Sequence, residues 1–424
     1  GDPAIARRVD AAQALMSEKY SWQAVADRFS AMIQRELARL AAPSIAMVTT
    51  WNSRCGIAEY SADLITTAAD DWDTQIYADQ RNQLIDPDHE EFVTRTWIAD
   101  PRAPIETLLE SLDGTAADIV HVQHNYGFIG LQQLAALIRR EVERRAVVVT
   151  LHRTEDLDTP ALQAHIADIA NDLALADRII VHQSEDAQRL RSLGVERVEI
   201  VPIGARQFTN IPVDAARQQL GLQVPADASI IATYGFLLPH KGTLELIQAV
   251  GLMREQGVNV NLIAVCALHT DPLSATYEQD CRDEIDRLGL TDSVRVITDF
   301  LPPEVSHLLL SIADVIALPY HASAESSSAA LRFVLPVRRA VIASEIGIFD
   351  DARDSLLLME APPVPARIAA TIIGLIDDAD EREAFAIKAA HLAGESSIRA
   401  SVAEHSRIYR SVIDARAGEH KGST

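Results

Sequence analysis

The sequence predicts an α/β fold of two doubly wound domains that face each other across a cleft. Short apolar, β-branched runs alternate with longer amphipathic helical stretches from about residue 44 onward, which is typical of parallel sheets with helices on both faces. A chain of 424 residues is also too long for one ordinary core and fits two or three domains. Each half is therefore expected to be a Rossmann-like unit. The predicted strands span residues 45–50, 119–123, 147–151, 179–182 and 198–202 in the first half, and residues 230–234, 261–265, 294–298, 315–319 and 340–344 in the second.

The domain boundaries follow from where this alternation stops. It lapses near residues 204–214, where Pro202 and Pro212 interrupt the chain. We therefore expect an N-terminal helical segment over residues 1–43, a first Rossmann-like domain over 44–205, a second over 206–395, and a C-terminal helical stretch over 396–424 that returns to the first domain.

The segment before the first domain carries apolar residues at helical spacing, and it echoes the end of the chain. Residues 24–27 (AVAD) resemble residues 401–404 (SVAE), each within a terminal helical stretch. Two interpretations stay open. These are two unrelated Ala-rich helices, or residues 1–43 are the tail of a preceding homologous domain in a longer synthase.

The net charge of −23 limits the possible partners. Nucleic acid and anionic lipid both require a basic footprint, so neither is expected to bind. Three cysteines without metal-ligand spacing fit a reducing compartment and argue against disulfides or structural zinc. No apolar run reaches the ~20 residues that span a bilayer, and the first residues show no secretory signal. We therefore expect a cytoplasmic protein, which partners could hold at the inner membrane face.

In open parallel sheets, ligands bind beyond the carboxyl ends of the strands. Arg54 and Gly56 follow the first predicted strand, and a glycine between strand and helix lets the backbone approach an anion at the helix start. His124 and Asn125 follow the second strand, and His152 follows the third. Imidazole and amide groups at neighbouring strand ends suit hydroxyl recognition and charge stabilisation. The alternatives are a simple tight turn at Gly56 and hydrogen-bonded structural histidines.

Two segments of the second half combine the features of a diphosphate site. One strand runs into a loop that ends with Lys241 and Gly242 just before a helix, so a lysine and free backbone N–H groups could meet the same anion. Another strand is followed by a small-residue loop with Glu325 and by serines at 326–328, where a helix is predicted to start. Such a carboxylate could hold sugar hydroxyls next to a diphosphate. The alternatives are a surface lysine in a turn and a glutamate that serves only as first-turn charge.

Together these segments resemble the retaining GT-B glycosyltransferases of family four (group one), over about residues 44–415. The resemblance is carried by the run CGIAEYS at 55–61, by GFLLPHKG at 235–242, by the glutamate-bearing loop, and by the pattern from Pro336-Val337 through Ser344 to Phe349. It implies a GT-B fold and a nucleotide-sugar donor. It implies no metal and no cofactor, because basic side chains and helix dipoles replace them at the diphosphate.

The resemblance also implies a role for each candidate residue. His152 and Glu325 would be catalytic, with Glu325 at the donor sugar hydroxyls and His152 near the donor sugar and the acceptor. The residues expected at the donor diphosphate are Gly56, Lys241, Gly242, Ser326, Ser327, Ser328 and Arg332, and those expected at the donor sugar or the acceptor are Arg54, His124, Asn125 and Glu325.

The sequence departs from the family pattern at three positions. Phe333 stands where the family has a second carboxylate for the nucleotide ribose, eight residues after Glu325. Phe236 replaces an arginine that often follows the first glycine of the phosphate loop, and Ile203 replaces a polar residue of the interdomain turn. Arg332 could supply the missing positive charge.

The first hypothesis is therefore a transferase that moves a hexose, with mannose as first candidate, from GDP-mannose or a UDP-hexose. Its acceptor would be a growing glycan or a lipid-linked oligosaccharide of a bacterial surface polysaccharide such as O-antigen. The alternatives are a degenerate GT-B module that scaffolds active domains, favoured by the loss of the second glutamate, and a GT-B sugar-nucleotide epimerase. The epimerase would need more acid and base groups around the sugar than the sequence provides.

Overall fold

Two parallel sheets form the framework of the protein, one of seven strands and one of six. The computed structural model describes residue 16 and residues 21–40, 42–81, 84–88, 90–221, 228–323, 325 and 327–422. The strands are β1 (Ser44–Thr49), β2 (Asp73–Asp79), β3 (Val93–Trp97), β4 (Ile119–His124), β5 (Ala146–Leu151), β6 (Leu157–Asp158), β7 (Gln163–Ala164), β8 (Arg178–Val181), β9 (Val198–Ile200), β10 (Ser229–Phe236), β11 (Val260–Ala267), β12 (Val294–Ile297), β13 (Val315–Leu318), β14 (Ala340–Ser344) and β15 (Leu357–Met359).

Helices connect the strands and cover the sheet faces. They are α1 (Trp22–Leu40), α2 (Gly56–Thr67), α3 (Glu106–Asp113), α4 (Leu131–Glu141), α5 (Ala170–Leu173), α6 (Ser184–Ser192), α7 (Val213–Leu220), α8 (Thr243–Glu255), α9 (Pro272–Arg287), α10 (Pro303–Ser311), α11 (Ala329–Val334), α12 (Pro365–Asp377), α13 (Ala379–Glu395) and α14 (Ile398–Gly422). Short 3₁₀ turns lie at Ile166–Ile169, Pro239–Lys241, Leu335–Val337 and Gly347–Ser355.

The strand order of both sheets is that of doubly wound folds. The first runs β3-β2-β1-β4-β5-β8-β9 and the second β12-β11-β10-β13-β14-β15, and all neighbouring strands within each sheet are parallel. The order reverses between β1 and β4 and between β10 and β13, where ligands bind in such sheets. The predicted parallel α/β architecture is thereby confirmed.

Burial explains why the central strands were readable from the sequence. Every residue of β4 and β5 is buried, as expected for parallel strands covered on both faces. The ten predicted strands are all present, with ends within two residues of the prediction. The strands β2, β3, β6, β7 and β15 were not predicted, and β6 and β7 have only two residues each. The first two carry polar or partly exposed residues at most positions, and β15 has only three residues, so none of them forms a long apolar run.

The end of the chain crosses back to the first sheet. Ala205 and Ser397 form a parallel bridge, and a Cβ on Gly204 would lie 2.6 Å from Cα of Ile398, so the crossing requires glycine there. The helix α14 then packs on the first sheet, burying Tyr409 completely in the same cluster as Met47. This crossing holds α14 against strands from which it is distant in sequence.

The helix α1 has a stripe of exposed apolar side chains, among them Trp22 at 89% and Phe29 at 59% exposure. Most of the remaining segment 1–43 lies outside the described residues. Its origin therefore stays a prediction.

Candidate functional site

A cavity of about 450 Å³ lies between the carboxyl ends of the two sheets. From the first half of the chain it is lined by Gly56 at the start of α2, by Asn125 after β4 and by His152 after β5. From the second half it is lined by Lys241 and Glu325. Residues far apart in sequence thus face one space of a size suited to a small polar molecule.

The loop after β10 is shaped by its two glycines. Gly235 has a φ of +140° and Gly242 a φ of +69°, both in the region that favours glycine. A Cβ at Gly242 would lie 1.9 Å from the carbonyl oxygen of Pro319, so the loop can approach β13 only with glycine at this position. The close approach brings Lys241 to the loop that carries Glu325.

Lys241 and Glu325 form an ion pair on the cavity wall, with Nζ 2.7 Å from Oε2. The ammonium also lies 4.2 Å from the ring centroid of Tyr320. Burial opposes the charge on Lys241, but Tyr320 and Glu325 outweigh it and raise its pKa. Burial likewise opposes the charge on Glu325, but Lys241 and His240 outweigh it and lower the pKa of the carboxyl to about 2. Both groups are therefore charged at neutral pH, and each is the other's counterion.

The described serines after Glu325 lie just before a short helix. Ser327 and Ser328 line the cavity, whereas Ser326 lies outside the described residues. The helix begins only at Ala329 and has six residues, and the hydroxyl of Ser328 accepts from the N–H of Leu331 at 3.1 Å as its N-cap.

Arg332, which was expected to supply the missing positive charge, lies at the cavity wall with its charge already paired. Its side chain reaches the cavity wall but is only 3% exposed, and its guanidinium donates to the carboxylate of Asp351 and, at 3.2 Å, to the hydroxyl of Ser396. Because a buried guanidinium needs a counterion, Asp351 compensates its charge. Arg332 therefore brings no unpaired charge to the cavity.

His124 is also corrected, because its side chain lies away from the cavity. It is fully buried, and its Nε2 lies 2.8 Å from the carbonyl oxygen of Ile129. Burial lowers its pKa to about 4. The strand β4 extends one residue further than predicted, so His124 is still within the strand, and Asn125 is the residue that lines the cavity.

Arg54 lies at the edge between the two walls. It is exposed, and its guanidinium carbon lies 6.0 Å from the ring centroid of Phe300, which comes from the second half of the chain. Arg54 is not among the residues that line the cavity. Its contact with Phe300 links the first half of the chain to the second.

His152 lines the cavity but has both ring nitrogens engaged by protein groups. Its Nε2 lies 2.8 Å from Oε1 of Gln123, and its Nδ1 lies 3.0 Å from Nε2 of His182. Burial lowers the pKa of His152 well below its ordinary value, and the neighbouring histidines lower it further. His152 is therefore neutral near pH 7.

The sequence did not point to a group of charged residues on α2 and the interdomain segment. Glu59 and Asp63 line the cavity one turn apart on α2, and Arg206 binds Asp63 through Nε at 2.6 and 2.8 Å. Burial raises the pKa of Glu59 to about 7, although Arg206 opposes the rise. Glu59 and Asp63 lie three and seven residues after Gly56, on the same face of the helix, and this spacing could have predicted that they face the cavity.

Aromatic rings occupy the positions at which the family pattern has charged residues. Phe333 stacks face to face on Tyr234 with ring centroids 4.1 Å apart and planes at 11°. Phe236 packs edge to face against His269, with centroids 5.1 Å apart. Both phenylalanines line the cavity. This part of the cavity is therefore apolar.

Every lysine and arginine among the described residues that line the cavity has a carboxylate partner. Lys241 pairs with Glu325, and the two arginines, Arg206 and Arg332, have the partners described above. An anionic ligand would therefore have to compete with a protein carboxylate for its cation. Within the described ranges there is no group of three or more His, Cys, Asp or Glu placed to hold a metal ion, and no helix long and apolar enough to cross a membrane.

Comparison with known proteins identifies the fold. No family model matches the chain. It is 17% identical to HepE of Anabaena solved in complex with UDP, covering 87% of this chain and 100% of that one with a TM-score of 0.67. It is 17% identical to sucrose-phosphate synthase of Thermosynechococcus elongatus, covering 88% and 100% with a TM-score of 0.70. The fold is therefore that of GT-B glycosyltransferases, as predicted.

Curated relatives add a more specific resemblance. Two D-inositol 3-phosphate glycosyltransferases are each 28% identical, that of Saccharomonospora viridis over 39% of both chains and that of Corynebacterium efficiens over 64% of both. The lipopolysaccharide 1,2-N-acetylglucosaminetransferase of Salmonella typhimurium is 27% identical over 55% of this chain and 56% of its own. The chain thus spans less than two thirds of the length of the first two relatives. It resembles GT-B glycosyltransferases of the family-four type.

Proposed function

We propose that this chain is the catalytic part of a glycosyltransferase that uses a nucleotide-sugar donor and retains the anomeric configuration. The observation that carries the proposal is the ion pair of Lys241 and Glu325 in a cavity between two parallel-sheet edges. A lysine beside a glycine-shaped loop suits a diphosphate, and a carboxylate beside it suits sugar hydroxyls. The glycosyltransferase names of the relatives support this choice of chemistry.

The ion pair suggests how the donor binds. The diphosphate takes the place of Glu325 at the ammonium of Lys241, and the released carboxylate accepts hydrogen bonds from the sugar. During transfer, the bond from the anomeric carbon to the phosphate oxygen breaks and a bond to the acceptor oxygen forms on the same face. Lys241 stabilises the charge that grows on the leaving diphosphate, and the proton of the acceptor hydroxyl leaves with that diphosphate.

For the donor we propose a hexose linked to UDP or GDP, with UDP-glucose and GDP-mannose as the first two to test. HepE, which shares the fold, is solved with UDP-glucose. The acceptor we propose is a glycan or lipid-linked oligosaccharide of a bacterial surface polysaccharide, which the lipopolysaccharide transferase among the relatives supports. Transfer is proposed to take place in the cytoplasm, without a metal ion.

The test is calorimetric titration with UDP, GDP and their hexose conjugates, followed by assay of donor hydrolysis and transfer. We expect one nucleotide to bind best and its sugar conjugate to be turned over. The variant Lys241→Met removes the ammonium at similar length, and Arg353→Met removes a cation at the surface outside the cavity as its control. Equal binding by Lys241→Met and the wild type would contradict the proposal.

A scaffold module without activity is the second candidate. Two features favour it: the apolar rings of Phe333 and Phe236, and the carboxylate partners of the cations in the cavity. Both weaken the attraction of the cavity for a nucleotide. Absence of binding by every nucleotide, with the fold intact, would favour the scaffold.

A further inference from the structure

A buried hydrogen-bonded chain holds His152 from behind the cavity wall. It runs from Gln123 to His152 at 2.8 Å, from His152 to His182 at 3.0 Å, and from Nδ1 of His182 to the carbonyl oxygen of Val201 at 2.9 Å. Gln123, His182 and Val201 are each only 1% exposed. The ring of Tyr60 packs edge to face against both histidines, with centroids 5.2 and 5.5 Å away. The ring orientation of His152 is therefore fixed by contacts on several sides.

The position of each proton follows from the fixed end of this chain. The carbonyl of Val201 only accepts, so Nδ1 of His182 carries a proton. In neutral His182 the other nitrogen is bare, and it accepts from Nδ1–H of His152. Neutral His152 then has a bare Nε2. This nitrogen accepts from the side-chain N–H of Gln123 when the amide is rotated by about 180°, so that its nitrogen and oxygen exchange places.

Two other arrangements satisfy these contacts, and each needs an extra proton. Either His182 is an imidazolium that donates at both ends while neutral His152 donates through Nε2 to the oxygen of Gln123, or His152 is the imidazolium and donates to both Gln123 and His182. Burial opposes both arrangements, because it lowers the pKa of His182 to about 4 and that of His152 well below its ordinary value. Near pH 7 the neutral arrangement is therefore the stable one.

We propose that His182 is a positioning residue that fixes His152 as the neutral Nδ1–H tautomer in one ring orientation. The consequence for turnover rests on the transferase function proposed above. Positive charge develops on the sugar in an oxocarbenium-like transition state, and an imidazolium beside it would raise the barrier. A neutral His152 held by His182 avoids that repulsion.

Two matched variants test the assignment. His182→Leu removes the acceptor at similar volume, whereas His182→Gln keeps an amide oxygen near the position of Nε2. The protein is labelled with ¹⁵N-histidine, and the signals of His152 are identified by their loss in His152→Gln. We expect a protonated Nδ1 and a bare Nε2 for His152 in the wild type and in His182→Gln, and loss of this pattern in His182→Leu.

The kinetic effect should be that of one neutral hydrogen bond. His182→Leu should lower kcat by about 3- to 10-fold with little change in KM, and His182→Gln should restore most of it. The control is His307→Leu, which removes a buried histidine of α10 in the second half of the chain and should lower stability without changing the signals of His152.

Two results would overturn the assignment: a protonated Nε2 on His152 in the wild type at pH 7.5, or an unchanged pattern in a folded His182→Leu. The ¹⁵N pattern does not depend on turnover. If it is as expected and no variant or wild type transfers sugar, the transferase function fails and the role of His182 in holding His152 stands.

Discussion

Neutralising Glu325 should tighten the binding of nucleoside diphosphates while slowing transfer. In the free protein, Glu325 occupies Lys241 at 2.7 Å, so a diphosphate must displace it. The isosteric change Glu325→Gln removes this competitor without opening space. It also removes the carboxylate proposed to bind the sugar, so affinity for the nucleotide and rate of transfer should change in opposite directions.

The size of the effect follows from the exposure of the pair. The side chain of Lys241 is 12% exposed and that of Glu325 is 45% exposed, so solvent screens the carboxylate in part. Exposed ion pairs contribute about 0–1 kcal/mol and charge-assisted hydrogen bonds about 1.5–3 kcal/mol, and an intermediate value of about 1 kcal/mol is reasonable here. Glu325→Gln should therefore bind UDP or GDP about fivefold more tightly.

The assay is calorimetry with the nucleoside diphosphate, with transfer measured on the same preparations. Transfer should fall by at least about 10²-fold, because an electrostatic contact made mainly in the transition state is lost. The control Glu345→Gln neutralises an exposed carboxylate that pairs with Arg353 outside the cavity, and it should change neither quantity. Equal or weaker nucleotide binding in a folded Glu325→Gln protein would refute the displacement model.

Three further predictions concern the same cavity. Phe333→Glu should lower the free energy of unfolding by about 1–3 kcal/mol relative to Phe333→Leu, because it places a carboxylate against the ring of Tyr234; equal denaturant midpoints would contradict this. Nucleotide affinity should fall as pH rises through about 7, where Glu59 becomes negative in the same cavity, and Glu59→Gln should flatten that fall in titrations from pH 6 to 8. Chelation should leave transfer unchanged, because Lys241 is placed to neutralise the diphosphate; activity restored only by Mg²⁺ or Mn²⁺ would count against the proposed chemistry.

The low pKa of Glu325 also determines the pH at which protonation breaks its ion pair with Lys241. The pKa is lowered from its ordinary value to about 2, so the stabilising contribution of the pair is present above the unfolded value near 4.5 and is lost as pH falls through 2. Between pH 5 and 8 the carboxylate stays charged. A change in nucleotide affinity over that range therefore comes from other groups, such as Glu59, whose carboxyl has a pKa of about 7.

Local sequence was sufficient to predict the strands that are buried on both faces. The runs that became β4 and β5 are apolar enough to predict parallel strands, and the order of motifs along the chain was sufficient to predict the GT-B fold. It also located the loop of Lys241 and Gly242, since a glycine pattern between strand and helix is a local signal. Edge strands such as β2 and β3 were missed because their burial depends on neighbours that local sequence does not reveal.

Contacts between segments that are distant in sequence determine which candidate side chains share the cavity and which charges are already paired. Lys241 and Glu325 are 84 residues apart, and their contact depends on how closely the loop of Gly242 approaches β13. His124 is the last residue of β4 and is buried, whereas Asn125 follows the strand and lines the cavity, so separating them required the end of the strand to within one residue. Arg332 has a local sequence typical of an anion site, yet Asp351 compensates it, since the partner of a buried charge is fixed by packing between distant segments.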